Sequence, residues 1–144
     1  MNDNTVNILL VEDDEVDIKN VKRAFKKNNI SNPLLIARNG LEALDVLKGN
    51  VSAGIEKANP IPKIILLDLN MPKMGGLEFL EEIRHDPELR KLSVFVMTTS
   101  DEESDKVAAY DLNVAGYILK PLSFESFVSA IAILDHYWRL CERP

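Results

Sequence analysis

An unbroken apolar run, Ile64-Ile65-Leu66-Leu67, ends on Asp68 and is followed by Leu69-Asn70-Met71-Pro72 and the pair Gly75-Gly76. A short run without polar alternation reads as a strand buried on both faces, the strand type of parallel sheets. Pro72 and the two glycines then stop the strand and turn the chain. A carboxylate placed where such a strand emerges lies at the carboxyl edge of the sheet, where open α/β folds bind ligands.

The same alternation continues along the chain. Val6 to Val11 reads as a first strand, closed by Glu12-Asp13-Asp14. Val16, Val21, Ala24 and Phe25 then recur at helical spacing, and Asp14 and Asp17, three residues apart, read as capping acids at the helix start. Pro33 to Ala37 makes a second strand, and Asn39-Gly40 the turn into a short helix through Leu41, Ala43, Leu44 and Leu47. Residues 49–62, with Gly49, Gly54, Pro60 and Pro62, form a long connection that fits no regular element. After the strand ending at Asp68 come a helix from Leu77 to His85, a strand from Leu92 to Met97, a helix from Glu102 to Leu112, a strand from Tyr117 to Leu119 and a last helix from Phe124 to Leu140. Five strands alternating with five helices argue a parallel sheet covered on both faces.

Composition narrows the function. The formal net charge of the 144 residues is −6, with no basic patch, so direct nucleic-acid binding is not expected. The N-terminal Met-Asn-Asp-Asn-Thr lacks the basic-then-apolar layout of a signal peptide, and no apolar run approaches the roughly 18 residues of a membrane span. A single cysteine, Cys141, excludes an intramolecular disulfide framework and a multi-cysteine metal site. His85 and His136 fall on predicted helices without a partner histidine, which leaves them no metal or phosphotransfer role. The expectation is a cytoplasmic protein with one domain over residues 1–144 (core about 6–140) and no output domain.

The strand ends collect polar groups: Glu12 and Asp13 after the first, Asp68 after the third, Thr98 after the fourth and Lys120 after the fifth. Carboxylates gathered in one site repel each other unless a cation neutralises them. Oxygen donors without Cys or His favour Mg²⁺, with Mn²⁺ as the alternative, over Zn²⁺. A lysine reaching into such a cluster would pair with Asp68 or with an anion attached to it.

Val11-Glu12-Asp13-Asp14, Leu67-Asp68-Leu69-Asn70-Met71-Pro72 with Gly75-Gly76, Met97-Thr98-Thr99-Ser100 and Tyr117-Ile118-Leu119-Lys120-Pro121 together resemble the response-regulator receiver domains of two-component signalling. The resemblance implies a flavodoxin-like α/β fold, a five-stranded parallel sheet of order 2-1-3-4-5 with helices on both faces. It further implies that Asp68 is the phosphoacceptor for a sensor histidine kinase. Asp13 and Asp68 would bind Mg²⁺ directly, with the backbone carbonyl of Asn70, while Glu12 would act through water. Lys120 and Thr98 would hold phosphoryl oxygens, Tyr117 would swing as Thr98 moves, and Pro121 would follow a cis peptide bond. Asn70 and Ser100 would flank the line of water attack and tune the lifetime of the acyl phosphate.

Two other readings compete. Phosphatases of the haloacid-dehalogenase type also use an aspartate nucleophile with Mg²⁺, but resemble Asp-x-Asp with an acid-base second aspartate; Asn70 stands at that position and cannot shuttle a proton. The chain therefore reads as a self-phosphorylating switch with slow autodephosphorylation, not a turnover enzyme. The remaining alternative is a phosphorylation-independent adaptor of the same fold.

The last helix is too apolar for one buried stripe. Phe127, Ile131, Leu134 and Trp138 make a core face, and Phe124, Val128, Tyr137 and Leu140 are left partly exposed. The aromatic helix end, residues 49–62 and the Met-Thr-Thr-Ser run resemble the stand-alone receivers paired with bacterial phytochrome kinases. In receivers the face made by the fourth helix, fifth strand and fifth helix is a common dimer surface, so a homodimer is expected.

Overall fold

The computed structural model describes residues 6–120 and 123–141. Its elements run β1 (Ile8–Val11), α1 (Glu15–Lys27), β2 (Leu34–Ala37), α2 (Gly40–Lys48), β3 (Ile64–Leu67), α3 (Gly76–Arg84), β4 (Ser93–Thr98), α4 (Glu103–Asp111), β5 (Gly116–Leu119) and α5 (Phe124–Leu140). The strands form one parallel sheet in the order β2-β1-β3-β4-β5. The expected architecture is therefore the observed one.

Every residue of β1 and β3 is buried, as an unalternating Ile-Leu-Leu-Val or Ile-Ile-Leu-Leu sequence requires of a strand with helices above and below. Alternation sorts their side chains into two cores. Leu9, Val11, Ile65, Leu67, Val94 and Val96 meet α2, α3 and α4 through Leu47, Phe79, Leu80, Ile83 and Ala109. Ile8, Leu10, Ile64, Leu66, Phe95 and Met97 meet α1 and α5 through Ile18, Val21, Phe25, Phe127, Ile131, Leu134 and Trp138. The predicted buried face of α5 is thus correct, while Tyr137 and Leu140 are exposed as expected and Ile133 joins them.

Local chemistry sets the helix boundaries. Asp14 caps α1 by accepting from the amides of Val16 and Asp17, and Asn39 caps α2 by accepting from Glu42. The connection over residues 49–62 contains a single 3₁₀ turn at Val51–Ala53, closed by a bridge between Asn50 and Ile55, and a cis bond between Asn59 and Pro60. It packs no buried apolar side chain between residues 51 and 60, so no hydrophobic period marks it in the sequence.

The two glycines after β3 differ in role. A Cβ on Gly76 would lie 2.5 Å from the Asp68 carbonyl oxygen and 2.6 Å from the Leu69 Cα, whereas one on Gly75 would meet nothing nearer than 3.5 Å. Gly76 is therefore the residue that lets α3 start against the backbone of the strand end.

Candidate functional site

Register brings the acids together. Val11 pairs with Leu67, and the Asp68 amide donates to the Val11 carbonyl at 3.0 Å, so Glu12 and Asp68 leave the sheet side by side. Both continue the alternation of Leu10 and Leu66 and point toward the α1/α5 side. Glu12, Asp13 and Asp68 each offer an oxygen within 4.8 Å of the others. Glu12 and Asp68 are buried and Asp13 is exposed, which gives the cluster one open side.

This donor set fits a hard divalent cation. Octahedral ligands at about 2.1 Å place neighbouring oxygens about 3 Å apart and opposite ones about 4.2 Å apart, so three carboxylates with oxygens within 4.8 Å of one another reach a shared ion by side-chain adjustment alone. All donors are oxygens, and the like charges need a neutralising ion.

Glu12 is 4% exposed, its Oε2 accepting from the Asp14 amide at 3.2 Å and its Oε1 from Lys120 Nζ at 2.9 Å. Burial, reinforced by the Asp68 charge, pushes its carboxyl up to about 7 against the pull of Lys120. Lys120 also donates to Asp17 Oδ2 at 2.6 Å. Burial pulls its ammonium down, but the hydrogen bonds to Asp17 and Glu12 outweigh that and hold it above the ordinary lysine range.

Two expectations change here. Among the described residues Lys120 forms its ion pairs with Glu12 and Asp17 and not with Asp68. Asp17 is not a capping acid: Asp14 alone accepts the free amides of α1, and Asp17 reaches across the fold to Lys120. No local pattern separates these roles, because a second acid three residues after a cap is ordinary helix-start chemistry and its partner lies 103 residues away.

Thr98, the last residue of β4, is fully buried, and its Oγ1 accepts from the Ser100 amide at 3.4 Å. Its carbonyl accepts from the Lys120 amide at 2.8 Å, which ties the β4 end to the lysine. Thr99, which the sequence does not single out, lines a cavity of about 270 Å³ together with Glu12, Asp17, Asp68 and Lys120, over a floor of Leu10, Leu66, Met97 and Phe127. Asn70 donates its amide to Asp68 Oδ1 at 3.3 Å and its side-chain nitrogen to Thr99 Oγ1 at 3.4 Å.

Tyr117 is half-buried against the α2–α4 core, and its hydroxyl donates to the Ser100 carbonyl at 2.9 Å. Burial and the nearby acids Asp105, Asp101 and Asp68 hold its phenol above the ordinary range despite that bond. Ser100 itself donates to Asp105 Oδ2 at 2.5 Å. Pro121 lies outside the described residues.

Fold and site together define a receiver-type α/β domain: a 2-1-3-4-5 parallel sheet with an acid cluster and a lysine at its carboxyl edge. The response regulator receiver domain family matches residues 8–132. The response regulator Rcp1 of Synechocystis sp. is 37% identical over 131 residues, which cover 91% of this chain and 87% of that protein. The chain belongs to the response-regulator receiver family and is a two-component receiver whose pocket of Glu12, Asp13 and Asp68 serves phosphorylation.

Two solved structures place it further. The phosphorylated cyanobacterial phytochrome response regulator RcpA superposes with a TM-score of 0.84 at 33% identity, covering 96% of this chain and 98% of that one. The Mn²⁺-bound form of Rcp1 gives 0.83 at 34% identity, covering 96% and 99%. The chain is thus similar to phytochrome-associated response regulators. Among the described residues no helix is long and apolar enough to cross a membrane.

Proposed function

We propose that Asp68 accepts the phosphoryl group from a phosphohistidine of a sensor kinase. Its carboxylate oxygen attacks phosphorus, the P–N bond breaks, and the imidazole leaves with the electron pair, giving an acyl phosphate. The observation that carries this reading is the juxtaposition of Glu12, Asp13 and Asp68 beside Lys120 at one sheet edge.

Asp13, Asp68 and the backbone carbonyl of Asn70 would hold Mg²⁺, with Glu12 acting through water and Mn²⁺ an acceptable substitute, as the Mn²⁺-bound Rcp1 suggests by its likeness. When bound, the metal supplies charge neutralisation for the transferring group. Lys120 takes a phosphoryl oxygen, Thr98 turns its hydroxyl from the Ser100 amide to another, and Tyr117 follows because its hydroxyl is bound to the Ser100 carbonyl. Asn70 at the second position after Asp68 supplies no acid-base group, which favours a phosphorylated state that persists over steady turnover.

The cognate kinase is a bacterial phytochrome in this reading, on the strength of the likeness to RcpA and Rcp1. The protein acts in the cytoplasm, and its receiver domain signals through a protein contact, first of all a homodimer through α4, β5 and α5. That face carries exposed Val107 and Tyr110 on α4, Leu119 on the edge strand β5 and Tyr137 on α5.

Intact mass after incubation with acetyl phosphate and Mg²⁺ tests the reading. Wild type gains about 80 Da and Asp68→Asn does not. Light scattering on the same samples reads the dimer. An equal gain by Asp68→Asn overturns the phosphoacceptor, and absence of any gain, also with a phosphorylated kinase as donor, leaves the constitutive adaptor.

A further inference from the structure

We infer that Asp17 is a holding residue for Lys120: it keeps the ammonium on the α1 side in the resting domain and gives it up when a phosphoryl group forms on Asp68. This rests on Asp68 and Lys120 having the roles proposed above.

Lys120 has three N–H donors and spends two of them on Glu12 and Asp17, the shorter bond being the 2.6 Å one to Asp17. A separation of that length marks a charge-assisted bond. The two acceptors are not equivalent. The Glu12 side chain is 5% exposed and belongs to the acid cluster, where a bound cation competes for its charge. The Asp17 side chain is 33% exposed, lies on α1, and is absent from that cluster, so metal loading leaves its hold on Lys120 in place.

Among the described residues the Asp17 side chain bonds Lys120 and takes no part in the cap. Asp14 makes the cap bonds, and Asp17 contributes only its amide to them. The Lys120 side chain lies on the wall of the 270 Å³ cavity that also reaches Asp68, which leaves room for the ammonium to change partner without moving a strand. A dianionic phosphoryl group on Asp68 must therefore compete with Asp17 for the same cation. Asp17 sets how readily the domain accepts phosphate, acting through Lys120 and not on the reacting atoms.

The test titrates ¹⁵N-labelled protein with fluoroberyllate, a phosphoryl mimic, at saturating Mg²⁺, following the amides of Thr98 and Ser100. Asp17→Asn is expected to half-saturate at a roughly three- to tenfold lower concentration than wild type. Asp17→Ser, checked by its thermal midpoint, should move the same way, and Asp17→Glu should return toward wild type. The gain should survive 1 M NaCl, where the screening length is about 3 Å, because the contact is direct.

Equal or weaker binding by Asp17→Asn overturns the inference, as does a gain that disappears at 1 M NaCl and so reflects only general charge. Wild type that fails to bind fluoroberyllate, or Asp68→Asn that binds it, overturns the phosphoacceptor assignment and this inference with it. Binding by wild type without the Asp17 effect overturns this inference alone.

Discussion

Gly76 and Asp68 touch through their backbones: a Cβ on Gly76 would fall 2.5 Å from the Asp68 carbonyl oxygen. The first turn of α3 can sit under the acid only because that Cβ is missing. Gly76→Ala must therefore push apart the strand end and the helix, and we expect a loss of about 1–3 kcal/mol in urea unfolding, with slower phosphorylation. Gly75→Ala meets only an ordinary contact at 3.5 Å and should cost less than about 1 kcal/mol. Equal costs at the two positions would contradict the account.

Glu12 couples stability to pH. Its carboxyl titrates near 7 in the folded domain, raised by burial from an ordinary value of 4.5. Between those values the folded state holds a proton that the unfolded chain has released, so stability falls as pH rises through that window and levels off above it. In chelator, denaturant midpoints should drop from pH 5 to pH 7.5 by an amount on the order of 2–3 kcal/mol at most. Glu12→Gln should flatten that slope.

Divalent metal should reverse this loss. In the proposed function the Mg²⁺ site needs the cluster of Glu12, Asp13 and Asp68 ionised, so Mg²⁺ affinity should rise with pH across the same window. At a concentration about 100-fold above its Kd it should add about 2.7 kcal/mol to the stability of wild type. Asp13→Asn removes the negative charge of the exposed carboxylate and should lose most of that gain, read as the Mg²⁺-dependent shift in Tm.

Arg84 holds two connections at once. Its Nε donates to the Leu112 carbonyl at 2.7 Å, Nη1 to Arg90 and Leu92 at 2.8 Å each, and Nη2 to Asn113 at 3.2 Å. The fork joins the segments leading into β4 and β5. Arg84→Met leaves those carbonyls without their shared donor and should cost about 2–4 kcal/mol, while Arg84→Lys, a point charge with no fork, should recover less than half. Mg²⁺ affinity should stay near wild type in both.

The parts of this protein that a sequence reader can find are those written in local pattern. The apolar runs of β1 and β3 announce strands buried on two faces, and the acids closing them announce the site, because strand ends and charges are adjacent in the chain. The α5 face of Phe127, Ile131, Leu134 and Trp138 is legible for the same reason. What stays hidden depends on distant partners. Asp17 looks like a cap until β5 delivers Lys120 beside it, and Arg84 looks like any basic residue at a helix end until the loops fold over it. Gly75 and Gly76 read alike, and only the close approach of α3 to Leu69 separates them. Thr98 is marked by its place at a strand end, whereas the cavity that Thr99 lines exists only in the assembled fold.

In the proposed function phosphate goes to Asp68. The most direct measurement treats the protein with acetyl phosphate and Mg²⁺, reduces it with borohydride, which turns a phosphoaspartate into homoserine, and maps the peptides by mass. The account predicts homoserine at position 68 alone, and none when Mg²⁺ is replaced by chelator. Homoserine at Asp13 or Asp17, or an unmodified position 68 in protein that has taken up phosphate, would contradict it.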